Sequence, residues 1–349
     1  MAILVTGGAG FIGSYFVRDL VEKTAGKRPI TLDAFRYSGR SENLEGVSHQ
    51  VFSGSIGDKE LVASVLRAEA VTAIVNFAAE THVDRSISSP EPFFQTNVMD
   101  TLELLTVARE YVAALPSDQR DAFRFIHVST DEVYGTLGAH EPAFSETTPY
   151  RPNSPYAASK AASDHLVRSF AETYGLPAIV TNCSNNYGPR QFPEKLIPLM
   201  ILNALRGKPL PVYGDGLQVR DWLYVGDHCS ALRLVLEQGR PGETYNIGGN
   251  CELTNIDVVR KICAELDRRV PRANGQPYAE QITHVTDRLG HDRRYAVDTT
   301  RIRTDLGWQP VETFATGIAR TIGWYLDNPG WLAAVTAGVY EDWIARQYA

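Results

Sequence analysis

Ala2-Ile3-Leu4-Val5-Thr6-Gly7-Gly8-Ala9-Gly10-Phe11-Ile12-Gly13 passes from an uncharged run directly into a cluster of glycines. Five residues without polar alternation read as a strand buried on both faces. The glycines lead into a helical pattern carried by Val17 and Leu20. Gly8, Gly10 and Gly13 fit GxGxxG, and Gly7, Gly10 and Gly13 fit GxxGxxG. Such spacing has a mechanical meaning: a tight turn, a backbone that can approach a pyrophosphate, and a helix N-terminus that favours negative charge. Gly7, Gly10, Phe11, Ile12 and Gly13 are the first candidate contacts for a dinucleotide.

Working outward, residues 29–33, 49–52, 73–77, 123–128 and 178–181 are further short apolar runs rich in β-formers, separated by longer helical stretches. That alternation specifies an α/β, Rossmann-type doubly wound parallel sheet with helices on both faces. After Cys183 the rhythm breaks. Turns at Asn186-Tyr187-Gly188-Pro189 and Tyr213-Gly214-Asp215-Gly216 separate shorter helices such as one near residues 197–205. A smaller mixed α/β lobe over the ligand crevice is expected there. The expected division is 1–183 for the dinucleotide domain and 184–349, mainly, for the substrate lobe, with the chain crossing between them.

Asp33 ends the second predicted strand, 20 residues beyond Gly13. An acid at that place accepts hydrogen bonds from the ribose hydroxyls of adenosine and repels a 2′-phosphate, which favours NAD over NADP. Arg36, three residues on, is the feature that pulls the other way.

Two patterns carry chemistry. Tyr156 and Lys160 form a YxxxK pair, i and i+4 on a predicted helix, so they share one face. A cation beside a phenol is expected to lower its pKa and make it a base for a substrate hydroxyl. Thr130-Asp131-Glu132 follows the fifth strand. Two carboxyl groups at the carboxyl end of a parallel strand face the crevice, and differing environments let one act as acid and the other as base.

These stretches resemble the dTDP-glucose 4,6-dehydratase family of the extended short-chain dehydrogenase/reductases. The similarity spans nearly the whole chain, including residues 78–87, Ser129 to Gly135, 154–160, 184–189, 193–198, 220–225 and 287–294. The Thr-Asp-Glu triplet separates it from epimerases of the same superfamily. The resemblance implies that Tyr156, supported by Lys160 and Thr130, takes the C4 hydroxyl proton as hydride leaves for NAD. Glu132 then removes the C5 proton and Asp131 protonates the departing C6 hydroxyl, after which hydride returns to C6.

The resemblance also places Ser55, Ile56, Phe77, Ala78, Ala79, Thr96 and Asn186 around the cofactor. It places His82, Asn185, Lys195, Leu196, Arg220, Asn255, Arg288 and His291 around the nucleotide sugar, with Pro211 and Tyr213 near the base. Arg220 and Arg288 are the leading diphosphate candidates, because a guanidinium can hold two oxygens at once. Three positions depart from the family pattern. Ser55 stands where an aspartate is usual, Asn182 where an arginine is common and Arg190 where an aromatic is common, the last two expected near the substrate lobe. The nucleobase and hexose therefore stay open, as do a 4-epimerase and a non-catalytic nucleotide-sensing module.

Composition narrows the field further. The 349 residues are 44% hydrophobic and 21% charged, with a net charge of −7, an ordinary globular balance that argues against a nucleic-acid partner. The four cysteines show no CxxC spacing and the eight histidines no ligand spacing, so neither a disulfide framework nor a metal is expected. No apolar run approaches the roughly 20 residues of a membrane span, and no basic leader precedes the first strand, so a cytoplasmic protein is expected. Family analogy adds a homodimer built from helices near 101–114 and 157–174. Trp324, Trp331 and Trp343 read as packing between C-terminal helices.

Overall fold

The computed structural model describes residues 1–24 and 26–337. Its strands, in chain order, are β1 (Ala2–Thr6), β2 (Arg28–Asp33), β3 (Gln50–Ser53), β4 (Ala73–Asn76), β5 (Arg124–Thr130), β6 (Ala178–Cys183), β7 (Asn185–Tyr187), β8 (Leu210–Tyr213), β9 (Val219–Tyr224), β10 (Thr244–Ile247), β11 (Glu252–Thr254) and β12 (Ile282–Val285). Seven of them form one parallel sheet in the order β10-β6-β5-β4-β1-β2-β3. Strand order reverses direction between β1 and β4, and that switch point opens a crevice at the carboxyl ends of the strands.

All five residues of β1 are buried because each face is covered. Ile3 and Val5 point to a layer containing Phe16, Val17 and Leu20 of the Phe11–Lys23 helix and Leu232 and Val235 of the Val225–Gln238 helix. Leu4 points the other way, into Val65, Leu66, Leu104, Ala108, Val167 and Phe170 from the Lys59–Ala68, Thr101–Ala113 and Pro155–Tyr174 helices. The period-2 side-chain alternation of a strand thus feeds two separate apolar layers.

The sequence-predicted strands match β1 to β6 within two residues at each end. β10 was not anticipated: residues 244–247 return from the second half of the chain and pair in parallel with β6. Residues 186–187, read as a turn, belong to β7, which pairs with β9. The turn at 213–216 is present, with Gly214 and Gly216 at φ +55° and +70°.

The remaining strands form a three-stranded sheet, β11-β9-β7, and a pair, β12-β8. A third apolar cluster holds them to the Leu196–Leu205, Asn255–Arg269 and Phe314–Asp327 helices through residues such as Met200, Val259, Ile262 and Ile322. Trp324 and Trp331 stack edge to face with centroids 5.0 Å apart, as expected of packing residues. Trp343 lies outside the described residues. Among the described residues no helix is long and apolar enough to cross a membrane, and no group of three or more His, Cys, Asp or Glu side chains is arranged to hold a metal.

Candidate active site

The glycine loop is shaped by contacts that exclude side chains. Gly7 has φ +66°, and a Cβ there would sit 2.7 Å from Ala78 N. A Cβ on Gly13 would stand 2.3 Å from Gly7 O, so helix and loop touch only because neither carries one. Gly10 caps the Phe11–Lys23 helix without a side-chain hydrogen bond, leaving first-turn N–H groups for a ligand. The Asp33 carboxylate braces this loop, accepting from Ala9 N and Phe35 N at 2.8 Å each. Burial pushes its pKa up, and these two N–H groups and Arg36 oppose that. Arg36 itself donates to Thr96 Oγ1 at 2.6 Å and to Glu80 Oε1 at 3.4 Å.

Ser55 lies on the same wall. Its hydroxyl donates to Asp100 Oδ2 at 3.1 Å and accepts from Gly57 N at 3.1 Å, so a buried carboxylate stands one hydrogen bond behind the serine. Thr96, Asn97 and Asp100 come from a π-helical turn, Gln95–Asp100, inserted between two α-helical segments. The wider turn lets Asn97 reach out of the helix. It accepts from Glu80 N at 2.8 Å and donates to Glu80 O at 3.0 Å and to Ser159 Oγ at 2.8 Å.

β5 ends in Thr130, which caps a short 3-10 turn, Asp131–Tyr134, by accepting from Glu132 N at 3.3 Å. The two carboxyl groups therefore project from a tight turn rather than an open loop. Both line the cleft that contains Tyr156 and Lys160, and the Thr130 side chain lies close enough to the Tyr156 hydroxyl to oppose the rise in its pKa. Asp131 is 1% exposed, with no hydrogen-bond partner for Oδ2 among the described residues. Burial, Glu132 and Asp221 push its pKa well above the usual carboxylate range. Glu132 is half-buried. Burial raises it too, but Arg288, Arg220 and Lys195 pull it back.

Lys160 donates to Val128 O at 2.9 Å, and burial pushes its ammonium pKa down. The expectation of a lowered Tyr156 pKa is overturned for the protein alone. Burial, then the Glu132 charge, push the phenol well above its ordinary value. Helical i,i+4 spacing carries no information about how dry the phenol is.

All the residues expected around the dinucleotide line one open cleft. The catalytic candidates line it too, as do Asn185 and Lys195. Lys195 donates to Thr81 O at 2.8 Å. Asn186 donates to Ser184 O at 2.9 Å and pairs with His228 Nδ1 at 2.9 Å.

The other expected sugar-nucleotide contacts lie off that wall. Arg220 donates to Asp292 O at 2.9 Å beneath the Tyr295 ring, and Arg288 is 3.4 Å from Asp84. Tyr213 on β8, next to Val212 and Pro211, meets the His291 ring at 6.1 Å, and His291 is 2.6 Å from Asp287. Asn255 opens a helix, its N–H bonded to Gln218 O at 3.0 Å. Leu196 packs into the third apolar cluster. His82 caps the Val83–Ser88 helix, and burial pushes its imidazole pKa well down, leaving it neutral.

The family model for GDP-mannose 4,6 dehydratase matches residues 4–321. The dTDP-glucose 4,6-dehydratase of Xanthomonas campestris pv. campestris (strain B100) is 60% identical, covering 97% of each chain. The dTDP-glucose 4,6-dehydratase 1 of Escherichia coli (strain K12) is 53% identical over 100% of this chain and 99% of its own. The chain belongs to the dTDP-glucose 4,6-dehydratase family. In structure it is similar to DesIV, a dTDP-glucose 4,6-dehydratase from Streptomyces venezuelae solved with NAD and TYD bound. The TM-score is 0.87 at 44% identity, covering 96% of this chain and 100% of that one.

Within this dTDP-glucose 4,6-dehydratase family member, the departures fall in unlike places. Ser55 recruits Asp100, as described. Asn182 does not face the substrate lobe, contrary to expectation. It is fully buried on β6 and donates to Thr130 O at 3.3 Å and Asp164 Oδ2 at 3.2 Å. Arg190 adopts φ +67° with its guanidinium 5.0 Å over Trp324, a packing contact. Sequence reasoning missed Asn97, Glu194 and Asp164. Glu194 is buried beside Arg85, 3.3 Å away. Asp164 had a readable signal, standing i+4 from Lys160 on the same helix. Asn97 had none, because helical periodicity does not report a π turn.

Proposed function

We propose that this protein is an NAD-dependent hydro-lyase converting dTDP-glucose to dTDP-4-keto-6-deoxyglucose. The observation that carries the reading is the contrast between Asp131 and Glu132. The first is driven strongly toward its protonated form by burial and neighbouring acids, while the second is held closer to its ionised form by three cations. Elimination across C5 and C6 needs one acid and one base of that kind. The names of the relatives and the NAD and TYD in the Streptomyces venezuelae structure support the same reaction.

The dinucleotide would be held by Gly7, Gly10, Phe11, Ile12 and Gly13 at the pyrophosphate, Asp33 at the ribose, and Ser55 and Ile56 at the adenine. Phe77, Ala78, Ala79, Thr96, Asn186, Tyr156 and Lys160 would line the nicotinamide half. Arg36 is committed to Thr96 and Glu80, which supports NAD over NADP. When bound, NAD supplies a reversible hydride acceptor, loaded at sugar C4 and unloaded at C6.

The chain's own residues move the protons. Tyr156, with its hydroxyl beside the Thr130 side chain, takes the C4 hydroxyl proton. The resulting C4 ketone acidifies C5–H, which Glu132 removes. Asp131 protonates the C6 hydroxyl, which leaves as water, and Glu132 returns a proton to C5. One proton is gained at Tyr156 and one lost at Asp131, so the protein's total is unchanged. Arg220, Arg288 and Lys195 hold the diphosphate, with His82, Asn185, Leu196, Asn255 and His291 completing the nucleotide side and Pro211 and Tyr213 near the base.

Residues 1–183 supply mainly the dinucleotide half and 184–349 mainly the sugar-nucleotide half. We expect a cytoplasmic homodimer that pairs through the Thr101–Ala113 and Pro155–Tyr174 helices. The test is incubation with dTDP-glucose and analysis of the sugar by mass and NMR. Loss of water with a keto group at C4 is expected. A product that keeps its C6 oxygen and has inverted C4 would make the protein an epimerase.

A further inference from the structure

Below Tyr156 and Lys160 lies a closed set of buried polar side chains that the proton transfers above leave unused. Asp164, one turn after Lys160, is 3% exposed. Its Oδ2 accepts from Ser129 Oγ at 2.8 Å, Tyr150 OH at 3.0 Å and Asn182 Nδ2 at 3.2 Å. Its Oδ1 makes no hydrogen bond among the described residues and faces His127 Nε2 at 3.4 Å.

The tautomer of His127 follows from its other side. Thr6 donates to Asn76 Oδ1 at 2.5 Å, which turns the Asn76 amide nitrogen to His127 Nδ1 at 3.1 Å. Nδ1 is then an acceptor, and the proton sits on Nε2. Nε2 also lies 3.2 Å from Ser163 Oγ and 3.3 Å from Lys160 Nζ. An Nε2–H cannot accept from an ammonium, so Lys160 donates to Val128 O instead, and a neutral ring stands between one cation and one anion.

We propose that Asp164 is a positioning residue for the reaction: across His127 it is the fixed counter-charge that keeps buried Lys160 protonated while Lys160 serves Tyr156. This rests on the reading of Tyr156 as the base at sugar C4. Burial pushes the Lys160 ammonium down, and Asp164 is the foremost charge pushing it back. Asp164 itself is pushed up to about 6 by burial, against the pull of Lys160 and its hydrogen-bond donors.

In the protein alone, burial drives the other titratable groups facing the pair toward their uncharged forms. His127 on β5 is held neutral by burial and by Lys160. Burial keeps Tyr134 and Tyr150 as phenols and drives Asp131 toward its protonated form. It drives Tyr156 toward the phenol in the protein alone, and the positive charge of bound NAD would favour the phenolate that takes the C4 hydroxyl proton. Cys183 on β6 stays a thiol, pushed up to about 12 by burial.

The test is Asp164→Asn, which keeps an acceptor for Ser129 and Tyr150 and removes the charge. In the holoenzyme the alkaline limb of kcat should move down by about one pH unit or more, giving roughly tenfold lower kcat at the alkaline end and little change near neutrality. Asp164→Glu should restore the limb. A structural residue would instead lower kcat uniformly with pH.

Lysine labelled with carbon-13 next to Nζ reports the Lys160 titration directly by NMR, without turnover. An equal Lys160 midpoint in wild type and Asp164→Asn overturns the proposal. If Asp164→Asn does not fold, the wild-type signal decides, because it must show an inflection at the Asp164 titration near pH 6. A flat signal there is equally fatal. Absence of dTDP-glucose turnover in wild type would count against the proposed function and leave this titration standing.

Discussion

Asp131 and Glu132 are adjacent carboxylic acids with nearly the same intrinsic acidity, and their surroundings divide them. Glu132 points among Arg288, Arg220 and Lys195, whereas Asp131 points into the interior beside Asp221. Glu132→Gln is expected to lower kcat by about 10²- to 10⁴-fold, the usual yield of one general base, with ligand binding retained in calorimetry. Unchanged turnover would remove Glu132 from the chemistry. The base must be ionised, and burial sets its pKa above 4.5, so activity should fall on acidification from above the ordinary carboxylate range. Arg220→Gln removes one stabilising cation and should move that acid limb to higher pH, as a pH–rate profile would show. The residue types at this centre were legible from Thr130-Asp131-Glu132 and YxxxK. Their protonation was not, since the dryness of Tyr156 and Asp131 is created by β6, β9 and the loops that close over them.

Short elements decide where the long ones can act. The Phe11–Lys23 helix meets the glycine loop with no room for a methyl group at Gly13. Gly13→Ala should therefore cost about 3 kcal/mol or more, and the loop it displaces should no longer bind NAD. Thermal unfolding and an NAD titration check both, and a variant with native stability and affinity would show the contact to be soft. β1, β2, β4, β5 and β6 could be read from sequence because strands covered on both faces are continuous apolar runs between turn residues, whereas β3 is an exposed edge strand carried by Val51 and Phe52 alone. β7, with three residues, is too short to stand out, and β10, Thr244-Tyr245-Asn246-Ile247, mixes polar and apolar side chains in the half of the chain where the strand–helix rhythm has broken. The π-helical turn at Gln95–Asp100 is equally silent, yet it aims Thr96, Asn97 and Asp100 at the cleft and its wall.

At the scale of the molecule, the two halves are stitched across the crevice by Lys195 to Thr81, Arg288 to Asp84, and Asn153 to Asp292 at 2.7 Å. Such ties join residues more than a hundred positions apart, which is why pair spacing along the chain could not reveal them. The sheet is stitched the same way, with Thr244 to Ile247 registered against Val180 to Cys183. This pairing sets a timetable for the growing polypeptide. Until residue 247 has left the ribosome, the outer edge of β6 has unpaired backbone groups, and the layer that Leu232 and Val235 will cover stays wet. A chain stopped at residue 183 should be insoluble or held by chaperones, while one extended past Ile247 gains its missing edge partner. Pulse-labelled nascent chains of graded length, scored for protease resistance, would show whether protection of β6 arrives with β10; resistance in the 183-residue product would mean that the border strand holds on its own.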